Sequence, residues 1–147
     1  MSLTVPTQAS ALRNNGYMCI NNIPCRIIDT TRSKTGKHGG MKIHFSAVDI
    51  FTDQRHDHLQ MSTQNIDVPY VTKNEYQLVD IDDNIVSYLD DKGSLLNDLF
   101  LPNLSKSDPE LSQEIRDNFD AGKEISITVI SAMGITAIKG FRITNMD

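Results

Sequence analysis

The first half of the chain shows the alternation of apolar and polar residues that is typical of half-buried strands. In the segment KIHFSAVDIF, Ile43 and Phe45 lie two residues apart. Val48 and Ile50 repeat this spacing after a break, which predicts a β-bulge near Ser46-Ala47. Similar β-prone runs predict further strands at residues 16–20, 24–31 and 55–61. The first half is therefore expected to be a small all-β unit.

The second half combines five further β-prone runs with one amphipathic helix. Leu111, Ile115 and Phe119 recur every fourth residue and predict an apolar helical stripe. Asp108 is expected to cap this helix, followed by Pro109 at the first helical position, and Gly122 is expected to end it. The strands are predicted at residues 76–81, 85–90, 95–101, 124–131 and 134–144. Three strands, a helix and two strands is the order of an OB-fold barrel.

Pro69 marks the expected border between the two halves. A proline has no N–H to donate to a sheet, so Asp67-Val68-Pro69 is predicted to interrupt strand pairing and to act as a short, stiff linker. The 147 residues suit two β-rich domains of about 70 residues each.

Composition predicts a cytosolic protein. No apolar run approaches the roughly 18 residues that a membrane-spanning helix needs, so no membrane association is expected. The first residues, MSLTVPTQAS, lack the basic and apolar regions of a secretory signal. The two cysteines, Cys19 and Cys25, are expected to be free thiols, because their spacing matches no redox or zinc motif.

The distribution of charge points to one basic segment. The formal net charge is −5, but no acidic residue lies between Asp29 and Asp49. That segment contains four cationic side chains, Arg32, Lys34, Lys37 and Lys42. A local concentration of positive charge in an acidic protein attracts phosphate. The alternative interpretation of the same charges is a solvated hairpin tip.

The basic segment is predicted to be a long loop. RSKTGKHGGM separates the two best strands, and about ten residues is far more than the two that close most hairpins. Gly36, Gly39 and Gly40 allow positive φ and a close approach to another molecule. Lys37 lies between these glycines, so the loop is the main candidate for function.

Other chemical motifs fit less well. Gly36-Lys37 is not a P-loop, because position 31 is Thr and His38 replaces the Ser or Thr that would hold magnesium. His56 and His58 would share one face of a strand and could bind a metal, with a third ligand from Asp53 or from elsewhere in the fold. Surface histidines are the more usual interpretation, so the sequence favours a protein that is not an enzyme and has no metal site.

The residues of the loop resemble a known family. Ser33-Lys34-Thr35-Gly36-Lys37-His38-Gly39 is similar to the hypusine loop of eukaryotic translation initiation factor 5A, the relative of bacterial elongation factor P. The resemblance continues along about 120 residues of the chain. It includes SALR at 10–13, VDIFT at 48–52, DVP at 67–69 and ITVISAM at 127–133.

This resemblance implies an all-β fold with one short helix. Residues 1–70 would form an SH3-like β-barrel that carries the hypusine loop at 32–42, and residues 71–147 an OB-fold barrel. Lys37 would be the modified lysine, to which deoxyhypusine synthase transfers an aminobutyl group from spermidine before deoxyhypusine hydroxylase completes hypusine. No other cofactor is implied.

The resemblance also implies how the protein acts. It would bind the 80S ribosome and position P-site tRNA, promoting peptide-bond formation at stalled sequences such as consecutive prolines and assisting termination. A weak homodimer stays open. The expected contacts to RNA or tRNA come from the loop and its flanks: Arg32, Ser33, Lys34, Thr35, Gly36, Lys37, His38, Gly39 and Lys42.

One departure and two rival hypotheses accompany the resemblance. The family usually has His-Ala where this chain has Gly40-Met41, so the far side of the loop is expected to be more mobile. The Woronin-body core protein of fungi is similar in fold but serves self-assembly, and it lacks the modified lysine. Retention of Lys37 in its full motif argues against that role. A metal-dependent enzyme built on His56 and His58 is the second rival.

Overall fold

The computed structural model describes residues 2–34, 36 and 39–144. The chain divides into two compact units. The first comprises residues up to Tyr70 together with Ala132–Gly134, and the second comprises Val71–Ser131 and the residues from Ile135 onward.

The described residues of the first unit form six strands and one 3-10 turn. A four-stranded antiparallel sheet has the order β2-β3-β4-β5, and β1 pairs with β6 in a separate two-stranded sheet. The 3-10 turn spans Ala9–Ala11. The strands are β1 (Thr4–Gln8), β2 (Tyr17–Ile20), β3 (Ile23–Lys34), β4 (Met41–Asp49), β5 (Arg55–Met61) and β6 (Asn65–Pro69).

The predicted alternation places Ile43 and Phe45 in the core correctly, but Val48 and Ile50, which were predicted to continue it after the break, are only half-buried. Ile43, Phe45 and Ala47 of β4 are fully buried beside Met18 and Ile27. The predicted bulge lies opposite Ser46-Ala47 in the pairing, but its extra residue belongs to β3, where the register shifts between Ile27 and Asp29. The break in the β4 pattern thus reflects an insertion in its partner strand.

The linker prediction at Pro69 is wrong. Residues 67–69 lie in β6, where Thr4 pairs with Pro69 and Val5 with Val68. Because β6 has only one partner among the described strands, its proline needs no second set of ladder hydrogen bonds. β1 was not predicted, since the short segment TVPTQ contains a proline and shows no clean alternation.

As far as Thr144, the second unit is a five-stranded antiparallel sheet with one helix. The sheet order is β11-β10-β7-β8-β9, with α1 between β9 and β10 along the chain, as the OB-fold prediction requires. The elements are β7 (Thr72–Asp82), β8 (Ile85–Leu89), β9 (Leu95–Phe100), α1 (Asp108–Asp120), β10 (Ile125–Ala132) and β11 (Ile135–Ile143).

Helix α1 packs through the predicted stripe. Ile115 is fully buried, and Leu111 and Phe119 pack against the same core. The predicted cap is wrong, because Ser107 occupies the N-cap and Asp108 is already helical. Its carboxylate instead accepts hydrogen bonds from the preceding turn, from the N–H groups of Leu104 and Ser105 at 2.9 and 3.0 Å.

The helix ends as predicted. Gly122 has φ +80°, its N–H donates to the carbonyl of Phe119 at 3.0 Å, and the N–H of Lys123 donates to that of Asn118 at 3.1 Å. These two bonds form a Schellman motif, in which glycine takes the left-handed position.

Cys19 and Cys25 are free, as predicted. Burial raises the pKa of the Cys25 thiol to about 11, with a smaller contribution from Asp49. Helix α1 is too short and too polar to span a membrane, and the rest of the described chain adds no helix that could.

Candidate nucleic-acid interface

Strands β3 and β4 form a paired stem that carries the glycine-rich loop. The last pairs of the stem are Arg32 with Ile43, Ser33 with Lys42 and Lys34 with Met41. The predicted loop of about ten residues is therefore too long, because only residues 35–40 lie between the strands. The extension of β3 to Lys34 has no sequence signal, because its exposed residues lack an apolar alternation.

The structure places six of the nine predicted RNA-binding residues. Arg32, Ser33 and Lys34 are exposed on β3, and Lys42 is half-buried on β4. Gly36 and Gly39 belong to the segment between the strands. Thr35, Lys37 and His38 lie outside the described residues.

Gly36 satisfies a backbone requirement of the loop. Its φ is +78°, and a Cβ built there would meet nothing within 4 Å. Space is thus available for a side chain, but the left-handed backbone is costly for any residue with a Cβ. The positive φ expected for this glycine is present.

Gly40 is restricted by packing and not by its backbone conformation. Its φ is not positive, but a Cβ at this position would lie 2.7 Å from the terminal methyl carbon of Met61 on β5. Next to Met61, the N–H of Ser62 donates to the carbonyl of Met41 at 2.8 Å. The strand that leaves the loop is therefore held against the end of β5. The greater mobility expected for the Gly40 side of the loop stays a prediction.

Charge is distributed unequally between the two units. By sequence, the first unit has seven Lys and Arg against five Asp and Glu, and the second has seven against fourteen. Among the described residues of the first unit, Arg13, Arg26, Arg32, Lys34, Lys42 and Arg55 have no ion pair with a carboxylate. The unit that carries the loop is thus the one suited to an anionic partner.

Arg13 was not among the predicted site residues. It is exposed, and its side chain meets that of Arg32 at the carbonyl oxygens of Ser10 and Leu12. The sequence feature that could have indicated Arg13 is its position in the SALR segment, which carries part of the family resemblance.

A Ser, His and Asp group on the sheet does not form a catalytic relay. The Ser46 hydroxyl donates to Oδ1 of Asp57 at 2.9 Å, and Nε2 of His44 lies 3.3 Å from the same oxygen. A nucleophile–base pair requires the serine to donate to the histidine instead. This arrangement joins β4 to β5 but does not activate the hydroxyl.

His56 and His58 lie on the same face of β5, as predicted, paired with Ala47 and Phe45 of β4. Nε2 of His58 is hydrogen-bonded to the amide oxygen of Gln60 at 2.8 Å, whereas Nε2 of His56 is buried without a hydrogen bond. Within residues 2–34, 36 and 39–144, no group of three His, Cys, Asp or Glu residues could hold a metal ion.

Two family profiles together cover most of the chain. The one described as "Translation initiation factor 5A-like, N-terminal" matches residues 2–64. The one described as "Eukaryotic elongation factor 5A hypusine, DNA-binding OB fold" matches residues 70–142. This chain belongs to the eukaryotic translation initiation factor 5A family. The resemblance first observed at the loop is thereby confirmed.

Individual relatives of the translation initiation factor 5A family align with this chain over nearly its whole length. Factor 5A-1 of Arabidopsis thaliana is 46% identical over 142 residues, which cover 96% of this chain and 87% of that protein. Factor 5A-1 of Saccharomyces cerevisiae is 45% identical over 141 residues, with the same coverage of 96% and 87%.

Solved structures of the family confirm the fold class. A translation initiation factor 5A family protein from Naegleria fowleri superposes with a TM-score of 0.91 at 41% identity, covering 96% of this chain and 99% of its own. The factor from Methanococcus jannaschii has a TM-score of 0.72 at 23% identity, which supports the fold alone. The chain is thus a translation factor with an SH3-like first unit and an OB-fold second unit.

Proposed function

We propose that this chain is a cytoplasmic translation factor, not an enzyme, whose Lys37 is converted to hypusine by deoxyhypusine synthase and deoxyhypusine hydroxylase. It binds the 80S ribosome and extends the modified side chain toward P-site tRNA. There it promotes peptide-bond formation at stalled sequences, such as consecutive prolines, and assists termination. Residues 1–70 carry the hypusine loop, residues 35–40 between β3 and β4, and residues 71–147 form the second domain. A weak homodimer stays a prediction.

The observation that carries this proposal is the basic stem of β3 and β4. The strands remain paired as far as Lys34 and Met41, so the segment that contains Lys37 begins beyond the last pair. Arg32 and Lys34 are exposed on this stem, and Gly36 has a left-handed backbone with φ +78°. Together they support a loop that presents a cation to an anionic partner.

The chemistry of the side chain fits this role. Lysine is a flexible stem that ends in a compact cation. Adding an aminobutyl group gives it more reach and a second amine, and hydroxylation adds a hydrogen-bonding group. Such a side chain can enter a narrow cavity lined with phosphates. The ribosome supplies the peptidyl-transfer site, and the factor contributes by positioning the tRNA.

The modification is tested directly by mass. The chain is expressed with and without the synthase and hydroxylase, and intact and peptide masses are compared. We expect the mass of hypusine on the peptide containing Lys37 only when both enzymes are present. An unmodified Lys37 under those conditions contradicts the first step of the proposal.

The mechanism is tested by translation. Modified wild type, Lys37→Ala and Lys37→Arg are compared for ribosome binding and for synthesis of a tripeptide-proline product. Because positioning alone can change a rate by orders of magnitude, we expect both variants to lose about tenfold or more of the stimulation. Lys73→Ala, which removes an exposed lysine of β7, is the matched control and retains activity. Equal activity of wild type and both Lys37 variants refutes the mechanism.

A further inference from the structure

Two arginine side chains from different parts of the first unit converge on the same backbone oxygens. Nη1 of Arg13 donates to the carbonyl oxygens of Ser10 and Leu12 at 2.7 and 3.0 Å. Nη2 of Arg32 donates to the same two oxygens at 3.3 Å each. Since both nitrogens are within hydrogen-bonding distance of the Ser10 oxygen, they are at most about 6 Å apart.

This pair is a concentration of positive charge without a compensating carboxylate. Within residues 2–34, 36 and 39–144, neither guanidinium forms an ion pair, whereas Arg142 forms one with Glu75. The two carbonyl oxygens are neutral dipoles, so they orient the side chains without cancelling their charge. Two like charges at this separation repel each other, and an anion between them relieves the repulsion.

The geometry leaves donors available for such an anion. A guanidinium has five N–H donors in a rigid, planar fork, and the carbonyl oxygens engage one terminal nitrogen of each arginine. Both side chains belong to exposed residues. Anchoring them in advance lowers the ordering cost of binding. Forked donors of this kind match the paired oxygens of a phosphate.

We propose that Arg13 and Arg32 form a two-arginine clamp that binds one phosphate of an RNA backbone beside the glycine-rich loop. The proposal rests on the RNA-binding role given above and extends it to Arg13, outside the 32–42 segment. Its ligand class is a phosphodiester of single-stranded or looped RNA.

The position of the clamp favours RNA as the source of the phosphate. Arg32 lies two residues before the last residue of β3, roughly 7 Å along the strand. Lys34, two residues further along β3, lies on the same face of the strand as Arg32 and places another unpaired cation nearer the loop. A polyanion can contact the clamp and Lys34 together, and each neutralised phosphate adds to its affinity.

The clamp is tested by RNA binding as a function of salt. Fluorescence anisotropy of a short fluorescein-labelled single-stranded RNA is measured with the full chain, Arg13→Gln, Arg32→Gln and the double variant. Each single variant is expected to bind several-fold more weakly. The slope of log K against log salt is expected to fall by about 0.7, the value for one phosphate of a single strand. The double variant is expected to show about the same affinity and the same slope as each single variant, because both arginines hold the same phosphate.

A matched variant separates the clamp from general electrostatics. Arg55→Gln removes the same charge from an exposed residue of the same unit, on β5, and is expected to leave the slope unchanged. Arg32→Lys keeps the charge without the fork and is expected to restore only part of the affinity. Thermal unfolding of every variant checks that the fold is retained.

A second measurement uses the wild-type chain and so does not depend on any variant folding. Phenylglyoxal modifies accessible arginines, and peptide mass spectrometry locates the adducts. RNA is expected to protect Arg13 and Arg32 together and to leave Arg142 in the second unit unprotected. Equal protection of all three, or of neither clamp residue, overturns the proposal.

The outcomes distinguish this inference from the proposed function. If Lys37→Arg loses its stimulation of translation but keeps the wild-type slope of log K against log salt for RNA binding, the clamp proposal still stands. If both glutamine variants keep the wild-type slope, or if Arg55→Gln lowers it equally, the clamp is refuted while the role of Lys37 stands on its own test.

Discussion

At the scale of single residues, Asp108 is a buried carboxylate of the second unit with several hydrogen-bond donors around it. Asp108 is 2% exposed as a residue, and its carboxylate accepts hydrogen bonds from the backbone of Leu104, the backbone and hydroxyl of Ser105, and the ammonium of Lys139 at 3.0 Å. Burial by itself would raise the pKa of Asp108, but these hydrogen bonds outweigh it and the pKa is lowered. The charged form is therefore the stable one.

Asp108→Asn is expected to lower the free energy of unfolding by about 3 kcal/mol at pH 7, because it removes the carboxylate that pairs with a largely buried ammonium. Since the pKa is lowered on folding, this contribution is present above the unfolded value of about 3.9 and is lost as pH falls through the folded pKa. Urea unfolding of wild type and variant between pH 7 and pH 3 measures it.

The control for this prediction is Asp91→Asn, which changes an exposed carboxylate in a turn. It is expected to shift the unfolding free energy by less than about 0.5 kcal/mol. A gap between wild type and Asp108→Asn that stays constant as the pH is lowered would show that the ionised carboxylate contributes nothing.

The pair formed by Gly40 and Met61 tests how this chain accommodates its departure from the family. A Cβ at position 40 meets the flexible end of Met61 at 2.7 Å, so the methionine must move. Gly40→Ala is therefore expected to cost stability in the wild type and less in a Met61→Ala background. Urea unfolding of the four proteins gives the coupling, expected at about 0.5 kcal/mol or more. Additive effects would mean that Met61 does not restrict position 40.

At the scale of elements, the cost of replacing a glycine by alanine can be compared at Gly122 and Gly140. Gly122 has φ +80° with nothing within 4 Å of a Cβ, so Gly122→Ala is strained by its backbone alone, by about 1–2 kcal/mol. Gly140, within β11, has no positive φ, and its Cβ would be 3.6 Å from Thr128, an ordinary contact. Gly140→Ala is expected to be neutral or to stabilise by about 0.5 kcal/mol.

Chemical denaturation of the two alanine variants measures this difference. Similar destabilisation of both would mean that the Schellman motif does not depend on the left-handed glycine. Loss of helical circular dichroism in Gly122→Ala alone would agree with local fraying at the end of α1.

The same elements show what sequence patterns can and cannot predict. The stripe of α1 and its glycine end were predicted because both are local properties of the chain. The extra residue of the β-bulge was assigned to β4 but belongs to β3. The sequence pattern of β4 indicates a change of register but not which of the two strands contains the extra residue. The pairing of β1 with β6 joins residues more than fifty positions apart and has no local signal.

At the scale of the whole molecule, the family and the basic loop were identifiable from sequence, but the meeting of Arg13 and Arg32 was not. Nineteen positions separate them, and neither has an acidic neighbour whose spacing would suggest a contact. The structure brings them together through the carbonyl oxygens of residues 10 and 12, which only the folded backbone positions. Polar convergence of this kind depends on tertiary structure.

The pairing of Thr4 with Pro69 has a practical consequence. The first and last strands of the first unit, β1 and β6, are paired along their full length, so Thr4 and Pro69 lie side by side. Deleting the residues before Ala9 would remove the pairing partner of β6. The backbone N–H and C=O groups of β6, which precedes the second unit along the chain, would then be left unpaired. Variants truncated in this way are therefore expected to self-associate. An affinity tag should be placed before an intact β1.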